Sequence, residues 1–204
     1  HLSAIIRRRN IRIPSFSKQV NFLNIPVKKS FLCACVLVMC LAVSGCSVSI
    51  HDAIAHESTE AVLQLLKEHP EYLTARDGKG KTPLHTAVTY KKIDLIPLLV
   101  ERGAALDATD VTGMTPLHVA AMLGRSEEAK VLMSLGASPE LTDDYGDMPL
   151  HTAAVFGSGG IIQLLVRTGM APDTPNAKGQ TGLEIAREYR QERVAALFEH
   201  LVRR

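Results

Sequence analysis

The segment Gly113-Met114-Thr115-Pro116-Leu117-His118-Val119-Ala120 decides the fold, because close copies of it recur along the chain. Three further copies begin at Gly80, Gly146 and Gly179, so the motif recurs at a constant interval. A second set of glycines repeats at the same interval, namely Gly103, Gly136 and Gly169. A fixed period in the range of about 20–50 residues is typical of stacked repeat architectures. The sequence therefore predicts a series of similar units.

Each copy has the features of a helix start. Thr82 and Thr115 lie at the N-cap position, where a hydroxyl can accept hydrogen bonds from the free N–H groups of the first turn. A proline follows at the first helical position, where a missing N–H costs little. Leu and Ala residues then form an apolar stripe, and a glycine after the second apolar run of each unit ends that helix. Each unit is thus predicted to be a helix pair that buries its apolar face only by stacking on its neighbours.

The Thr-Pro-Leu-His-x-Ala motif at a 33-residue period resembles the ankyrin-repeat family, clearly from about Asp77 to Leu201 and more faintly back to Ile50. This resemblance implies an all-α fold, an ankyrin-repeat α-solenoid of helix-turn-helix units with β-turn loops. The predicted units are 50–76, 77–109, 110–142, 143–175 and 176–204. Terminal units are expected to be atypical because their outer faces meet water.

Two departures from the repeat pattern carry predictions. Pro97 lies inside the second helix of its unit, so a kink or a late-starting helix is expected. In the first unit, four polar residues are interpreted as a solvent-facing outer side and not as metal ligands: His51, Asp52, His56 and Glu57.

The N-terminal part of the chain has a different composition. All 21 Asp and Glu lie at or after Asp52, whereas seven of the 23 Lys and Arg lie before Cys46. Lys28-Lys29 precedes an uncharged apolar run that extends over 31–43. This run is short for a membrane span of about 20 residues, but it fits the apolar region of a signal peptide, about 7–15 residues. The run ends in Val43-Ser44-Gly45-Cys46, which resembles the lipobox of bacterial lipoproteins.

The lipobox resemblance implies cleavage before Cys46 and attachment of lipid to that residue. Residues 27–45 would then be a lipoprotein signal peptide, 46–49 the lipidated cysteine with a short tether, and 50–204 the repeat domain. Residues 1–26 are predicted to be an upstream, non-native extension, because the signal pattern starts only at Val27. An ordinary secretory signal cleaved after Ala42-x-Ser44 and an uncleaved anchor both stay open. The expected location is the bacterial cell envelope, lipid-anchored at the outer membrane and facing the periplasm.

Composition and motifs argue against several function classes. Residues 46–204 contain 16 basic and 21 acidic side chains, a net charge of −5, and show no basic face, so a nucleic-acid partner is not expected. No catalytic triad spacing, H-E-x-x-H motif or paired carboxylates can be recognised. We therefore predict no enzymatic activity, cofactor, metal or small-molecule substrate. For the aligned His85, His118 and His151, the family resemblance implies a structural role, with each ring bonded to the capping Thr and the adjacent loop.

Binding of another protein is the function that the family resemblance implies, through the loop tips and the inner-helix surface. Fourteen positions match that surface: Lys79, Lys81, Thr89, Tyr90, Val111, Thr112, Met114, Met122, Leu123, Asp144, Tyr145, Asp147, Val155 and Phe156. Seven of these fourteen residues are apolar or aromatic. An exposed apolar patch of this kind usually marks an interaction site. The residues predicted to bind the partner are Tyr90, Met114, Met122, Leu123, Tyr145, Asp147 and Phe156. Met122 and Phe156 are expected to face outward; a competing interpretation is that Leu123 and Phe156 tuck partly into the stack.

The sequence thus predicts a non-catalytic protein-protein interaction module, tethered to the membrane of the bacterial envelope through its lipid anchor. The alternative function is a periplasmic immunity or inhibitor protein that neutralises one specific toxin or enzyme.

Overall fold

The computed structural model describes residues 49–203, and ten α-helices lie within that range. In chain order these are α1 (Ile50–His56), α2 (Thr59–Glu68), α3 (Pro83–Thr89), α4 (Leu95–Glu101), α5 (Pro116–Leu123), α6 (Ser126–Ser134), α7 (Pro149–Val155), α8 (Gly159–Arg167), α9 (Gly182–Glu188) and α10 (Glu192–Val202). A 3₁₀ turn, Pro70–Thr74, follows α2. No β-strand occurs in this part of the chain. The predicted all-α repeat fold is confirmed.

The helices form two layers. The inner helices α1, α3, α5, α7 and α9 pack on one another in series, and the outer helices α4, α6, α8 and α10 do the same. Each inner helix also packs on the outer helix that follows it in the chain. The two layers enclose one continuous core in which equivalent residues of successive units are fully buried, for example Leu84, Leu117 and Leu150. Stacking therefore supplies the core that no single unit could form.

The last unit fills its core differently. Phe198 stands where the preceding outer helices have Leu99, Leu132 and Leu165, and its ring is fully buried. Gly182 replaces the helix-starting proline of the earlier units, and a Cβ at this position would lie only 2.4 Å from the Phe198 ring. The larger aromatic ring of the final unit thus depends on a glycine across from it.

Residues in the left-handed backbone region close the inner helices. Lys91, Gly124, Gly157 and Arg190 occupy this same position in successive units and have φ values of 58°, 64°, 72° and 57°. Glycine adopts this conformation without a steric penalty, whereas a side chain makes it unfavourable by roughly 1–2 kcal/mol. Lys91 and Arg190 therefore store backbone strain that Gly124 and Gly157 avoid.

Pro97 lies in the first turn of α4, at its third residue. The equivalent helices α6 and α8 begin at Ser126 and Gly159, two positions earlier in the repeat than Leu95. The amides of the first turn have no acceptor inside the helix, so a proline there loses no helical hydrogen bond. The predicted late start is confirmed, and the cost of an interior proline is avoided.

The described part of the chain begins with the cap of α1. The hydroxyl of Ser49 accepts from the amide of Asp52 at 3.1 Å and donates to its carboxylate at 2.8 Å. Ser49 thus caps α1 in the way that Thr115 caps α5. The signal peptide predicted for 27–45, the lipidated Cys46, the tether residues Ser47 and Val48 and the extension 1–26 lie outside the described residues. Between residues 49 and 203, no helix has the length and apolar content needed to cross a membrane.

Candidate protein-interaction surface

The three aligned histidines connect each inner helix to the loop of the next unit. Nδ1 of His118 accepts from the amide of Thr115 at 3.2 Å and lies 2.8 Å from its hydroxyl. Nε2 lies 2.9 Å from the carbonyl oxygen of Asp147, so it carries the proton that it donates. His85 makes the same set of contacts to Thr82 and Met114. Nδ1 of His151 accepts from the amide of Met148 at 3.2 Å, and its Nε2 lies 2.9 Å from the carbonyl oxygen of Thr174. The predicted structural role is confirmed, with a bond to a capping Thr at His85 and His118 but not at His151, where the cap is Met148.

Burial sets the charge of these rings. His85, His118 and His151 are fully buried, and burial lowers the pKa of each below its ordinary value. The neutral ring is the form that can accept at Nδ1 and donate at Nε2. The histidines therefore hold the loops in place and remain neutral at pH 7.

Each loop tip is a turn held by one side-chain oxygen. Oδ1 of Asp110 accepts from the amides of Thr112 at 2.8 Å and Met114 at 3.1 Å. Asp77 and Asp143 do the same, and Asn176 takes this role in the last unit. Neighbouring loops are also joined by backbone hydrogen bonds, as between the amide of Val111 and the carbonyl of Lys79 at 3.1 Å. The loop surface is thus formed before any partner arrives.

Four of the seven residues predicted to bind the partner are exposed. The exposed fractions are 50% for Tyr90, 37% for Leu123, 64% for Tyr145 and 52% for Phe156. Leu123 and Phe156 therefore keep a substantial part of their side chains at the surface. Val111, on a loop tip, is 67% exposed.

The prediction that Met122 faces outward is wrong. Met122 is half-buried and packs against the core, as does Met114. Thr89 and Val155, at the equivalent position in neighbouring units, are also half-buried, so this position lies at the edge of the contact between inner helices. Asp147 is half-buried as well, and its Oδ1 accepts from Nδ2 of Asn176 at 2.6 Å. Met114, Met122 and Asp147 support the surface more than they extend from it.

One exposed residue was missed by the sequence reasoning. Tyr189 is 54% exposed and occupies the same repeat position as Tyr90, Leu123 and Phe156. These four residues, here called the apolar ladder, follow one another at the C-terminal ends of successive inner helices. With about 10 Å between packed helices, the ladder extends over about 30 Å. The constant interval that leads from Tyr90 through Leu123 and Phe156 to Tyr189 is the signal that could have found it.

A groove lies at the N-terminal end of this surface, between α1 and the loop tip of the next unit. It has a volume of about 700 Å³ and is referred to below as the N-terminal groove. Its lining consists of Ser49, His51, Asp52, Arg76, Asp77, Gly78, Lys79, Lys81, Thr86, Thr89 and Tyr90. Tyr90 belongs both to the groove and to the apolar ladder, so the two features are continuous.

The interpretation of His51 as part of the outer side is wrong. His51 is half-buried, and its Nδ1 lies 2.7 Å from the hydroxyl of Thr86 in the second unit. The reason is that α1 packs on α3 and turns this residue toward the stack. Across residues 49–203, no group of three or more His, Cys, Asp or Glu side chains is arranged to hold a metal ion.

The two helical layers and the stacked loops define a helical-repeat protein. A family model described as "Ankyrin repeats (3 copies)" matches residues 50–143. This part of the chain therefore consists of three ankyrin repeats, and the helix pairs α7–α8 and α9–α10 continue the same stack. A comparison with curated proteins gave no match. Ankyrin repeats are protein-protein interaction modules and are generally non-catalytic.

Proposed function

We propose that this protein is a lipid-anchored protein-binding module of the bacterial envelope that performs no chemistry itself. The observation that carries the proposal is the apolar ladder of Tyr90, Leu123, Phe156 and Tyr189, whose members are between 37% and 54% exposed. A contiguous apolar patch on a protein surface usually marks an interaction site, and aromatic side chains are enriched in the cores of interfaces. A partner that covers the ladder would remove this apolar surface from water.

Preorganisation of the surface supports tight binding. The loop tips are held by the carboxylates of Asp77, Asp110 and Asp143 and by the buried histidines behind them. A surface that is already ordered loses less conformational entropy when it binds than a flexible one.

The anchor part of the proposal depends on the sequence before Ser49. The Val43-Ser44-Gly45-Cys46 segment follows a charged and then apolar stretch, and Cys46 is the residue proposed to carry lipid. Because Ser49 already caps α1, the chain between Cys46 and the first helix could span at most about 11 Å. The partner is therefore expected close to the membrane, with the outer membrane facing the periplasm as the proposed location.

Photocrosslinking in intact cells tests the protein-binding part. A benzophenone amino acid placed at Phe156 should give a discrete adduct with one partner protein. The matched control is the same group at Val202, which is 51% exposed but lies on α10, away from the ladder. Equal adduct patterns from both positions, or no adduct from Phe156, would refute the proposed surface.

Membrane fractionation of a Cys46→Ala variant tests the anchor. The variant should leave the membrane fraction or accumulate as uncleaved precursor, since the residue that receives lipid is absent. Normal processing together with unchanged membrane association would contradict lipid attachment at Cys46.

A further inference from the structure

The lining of the N-terminal groove contains the first histidine of the repeat motif. His51 occupies the position held by His85, His118 and His151 in the next three units, and the buried Ile50 occupies that of Leu84, Leu117 and Leu150. Its Nδ1 is paired with the hydroxyl of Thr86, but its Nε2 is buried and has no hydrogen-bond partner among the described residues. Burial lowers the pKa of His51, against the opposing effects of the Asp77 and Asp52 carboxylates and the Ala75 carbonyl, and that carbonyl does not form a hydrogen bond with Nε2 by geometry. A buried polar atom without a partner is unfavourable, whereas the aligned rings of His85, His118 and His151 each donate from Nε2 to a loop carbonyl.

Two lysines of the same groove form no ion pair in the described part of the chain. Lys79 and Lys81 line the groove, and within residues 49–203 their ammonium groups form neither a hydrogen bond nor an ion pair. Arg76 donates from Nη1 to the carbonyl oxygens of Gly80 and Thr109, which fixes its guanidinium at the edge of the groove.

The two acidic residues of the lining are engaged elsewhere. Oδ1 of Asp77 accepts from the backbone amides of Lys79 and Lys81, at 2.8 Å each. The carboxylate of Asp52 accepts from the hydroxyl of Ser49 at 2.8 Å. Both carboxylates thus hold local structure, and with Arg76, Lys79 and Lys81 against Asp52 and Asp77 the lining keeps one positive charge in excess. This cationic site stands out in a part of the chain, 46–204, that is acidic overall with 16 basic and 21 acidic residues.

The chain itself does not supply the missing anion from its N-terminal side. No Asp or Glu occurs before Asp52, whereas seven Lys and Arg do. A segment from this region would bring neutral or positive groups to a groove that already holds unpaired cations. The complementary occupant is an external acidic group.

We propose that the N-terminal groove receives an Asp or Glu side chain of the partner protein, with the partner segment continuing over Tyr90 onto the apolar ladder. The carboxylate would lie between the ammonium groups of Lys79 and Lys81, and Nε2 of His51 would donate a hydrogen bond to it. The partner motif is therefore an acidic residue followed by apolar or aromatic residues. This inference rests on the proposed protein-binding function and names the chemistry of its partner.

Selection from a library of random peptides tests this specificity. The full chain in mild detergent is the bait, and peptides of about twelve residues, which reach about 40 Å when extended, cover both groove and ladder. Enriched peptides should carry Asp or Glu beside apolar residues. Their affinity, measured by fluorescence anisotropy, should fall about tenfold or more in Lys79→Glu/Lys81→Glu, since attraction becomes repulsion. The control Lys67→Glu/Arg193→Glu makes the same charge change at exposed sites on α2 and α10 and should bind like the unaltered chain.

His51→Leu separates a binding role from a structural one. The variant removes the unpaired Nε2 together with the Nδ1 contact to Thr86 and leaves an apolar side chain, so its melting temperature should change little while its affinity for the acidic peptides falls. A lower melting temperature with full affinity would assign His51 to the stack and overturn its part in the groove.

Three outcomes would overturn the acidic-ligand assignment. They are enrichment of neutral or basic peptides, absence of any enrichment, and equal loss of affinity in the two double variants. Sedimentation with phosphatidylglycerol vesicles that depends on Lys79 and Lys81 would assign the groove to a lipid surface instead. The adduct at Phe156 in cells reports separately on the proposed function, so a specific adduct with no acidic preference would refute the groove alone.

Discussion

Acidification below about pH 6.5 should destabilise the repeat domain through its buried histidines. His85, His118 and His151 have pKa values lowered by burial, while nearby carboxylates such as Asp110, Asp143 and Asp147 oppose part of that effect. In the unfolded chain each histidine titrates near its ordinary value of about 6.5. Below this pH the unfolded state binds more protons than the folded state, so stability is lost as the pH falls.

The magnitude follows from proton linkage. A histidine that is protonated when unfolded and neutral when folded contributes about 1.4 kcal/mol per pH unit, so the three together give at most about 4 kcal/mol per pH unit. Typical domain stabilities are about 5–15 kcal/mol, so a drop of one or two pH units is large. The pKa values of Asp77 and Asp110 are also lowered, but those carboxylates remain ionised until the pH falls below about 4. Histidine titration therefore dominates the pH dependence of stability above about pH 4.

Urea unfolding followed by circular dichroism at pH 7.5, 6.5 and 5.5 measures this slope. His118→Gln is the informative variant, because a Gln at this helix position can still accept from the capping amide but does not titrate. It should lose about 1–3 kcal/mol at pH 7.5, where the bond to Asp147 disappears, and its pH slope should be about one third smaller. Stability that is constant from pH 7.5 to 5.5, or an unchanged slope in the variant, would refute the assignment of neutral buried histidines.

Three further predictions concern the repeat architecture. Lys91→Gly should raise the free energy of unfolding by about 0.5–1 kcal/mol in denaturant titrations, because the strain at φ 58° is relieved at a modest entropic cost; a clear loss would contradict this. Pro97→Leu should be neutral or stabilising in thermal melts since the proline lies in a first turn, and a large loss would mean that its ring is needed for packing. Deletion of 110–142 should leave a shorter cooperative solenoid, whereas deletion of about half a unit should abolish cooperativity; equal behaviour would mean that one repeat period is not the folding unit.

The sequence by itself determined the repeat, its helix starts and its core. These features depend on short-range chemistry: a threonine cap, a proline at the first helical position, and leucines placed on one helix face, all within one unit. Thr181 and Glu184 show how local this chemistry is, because they lie three residues apart and form a capping pair in which the amide of Thr181 donates to the Glu184 carboxylate at 2.8 Å. The late start of α4 before Pro97 also followed from local rules.

Only the tertiary structure decided how deeply individual surface residues are buried and what they contact. Met122 and Phe156 occupy adjacent positions of the repeat, yet one packs on the core and the other is 52% exposed. The sequence pattern placed His51 on the outer side, but because α1 packs on α3, His51 lines the N-terminal groove together with Lys79 and Lys81. Burial of a side chain depends on the neighbouring unit, which lies a full repeat period away in sequence. No local sequence pattern specifies the distance and the angle at which that unit packs. For that reason the period predicted the scaffold, while the groove and the apolar ladder became visible only after the units were stacked.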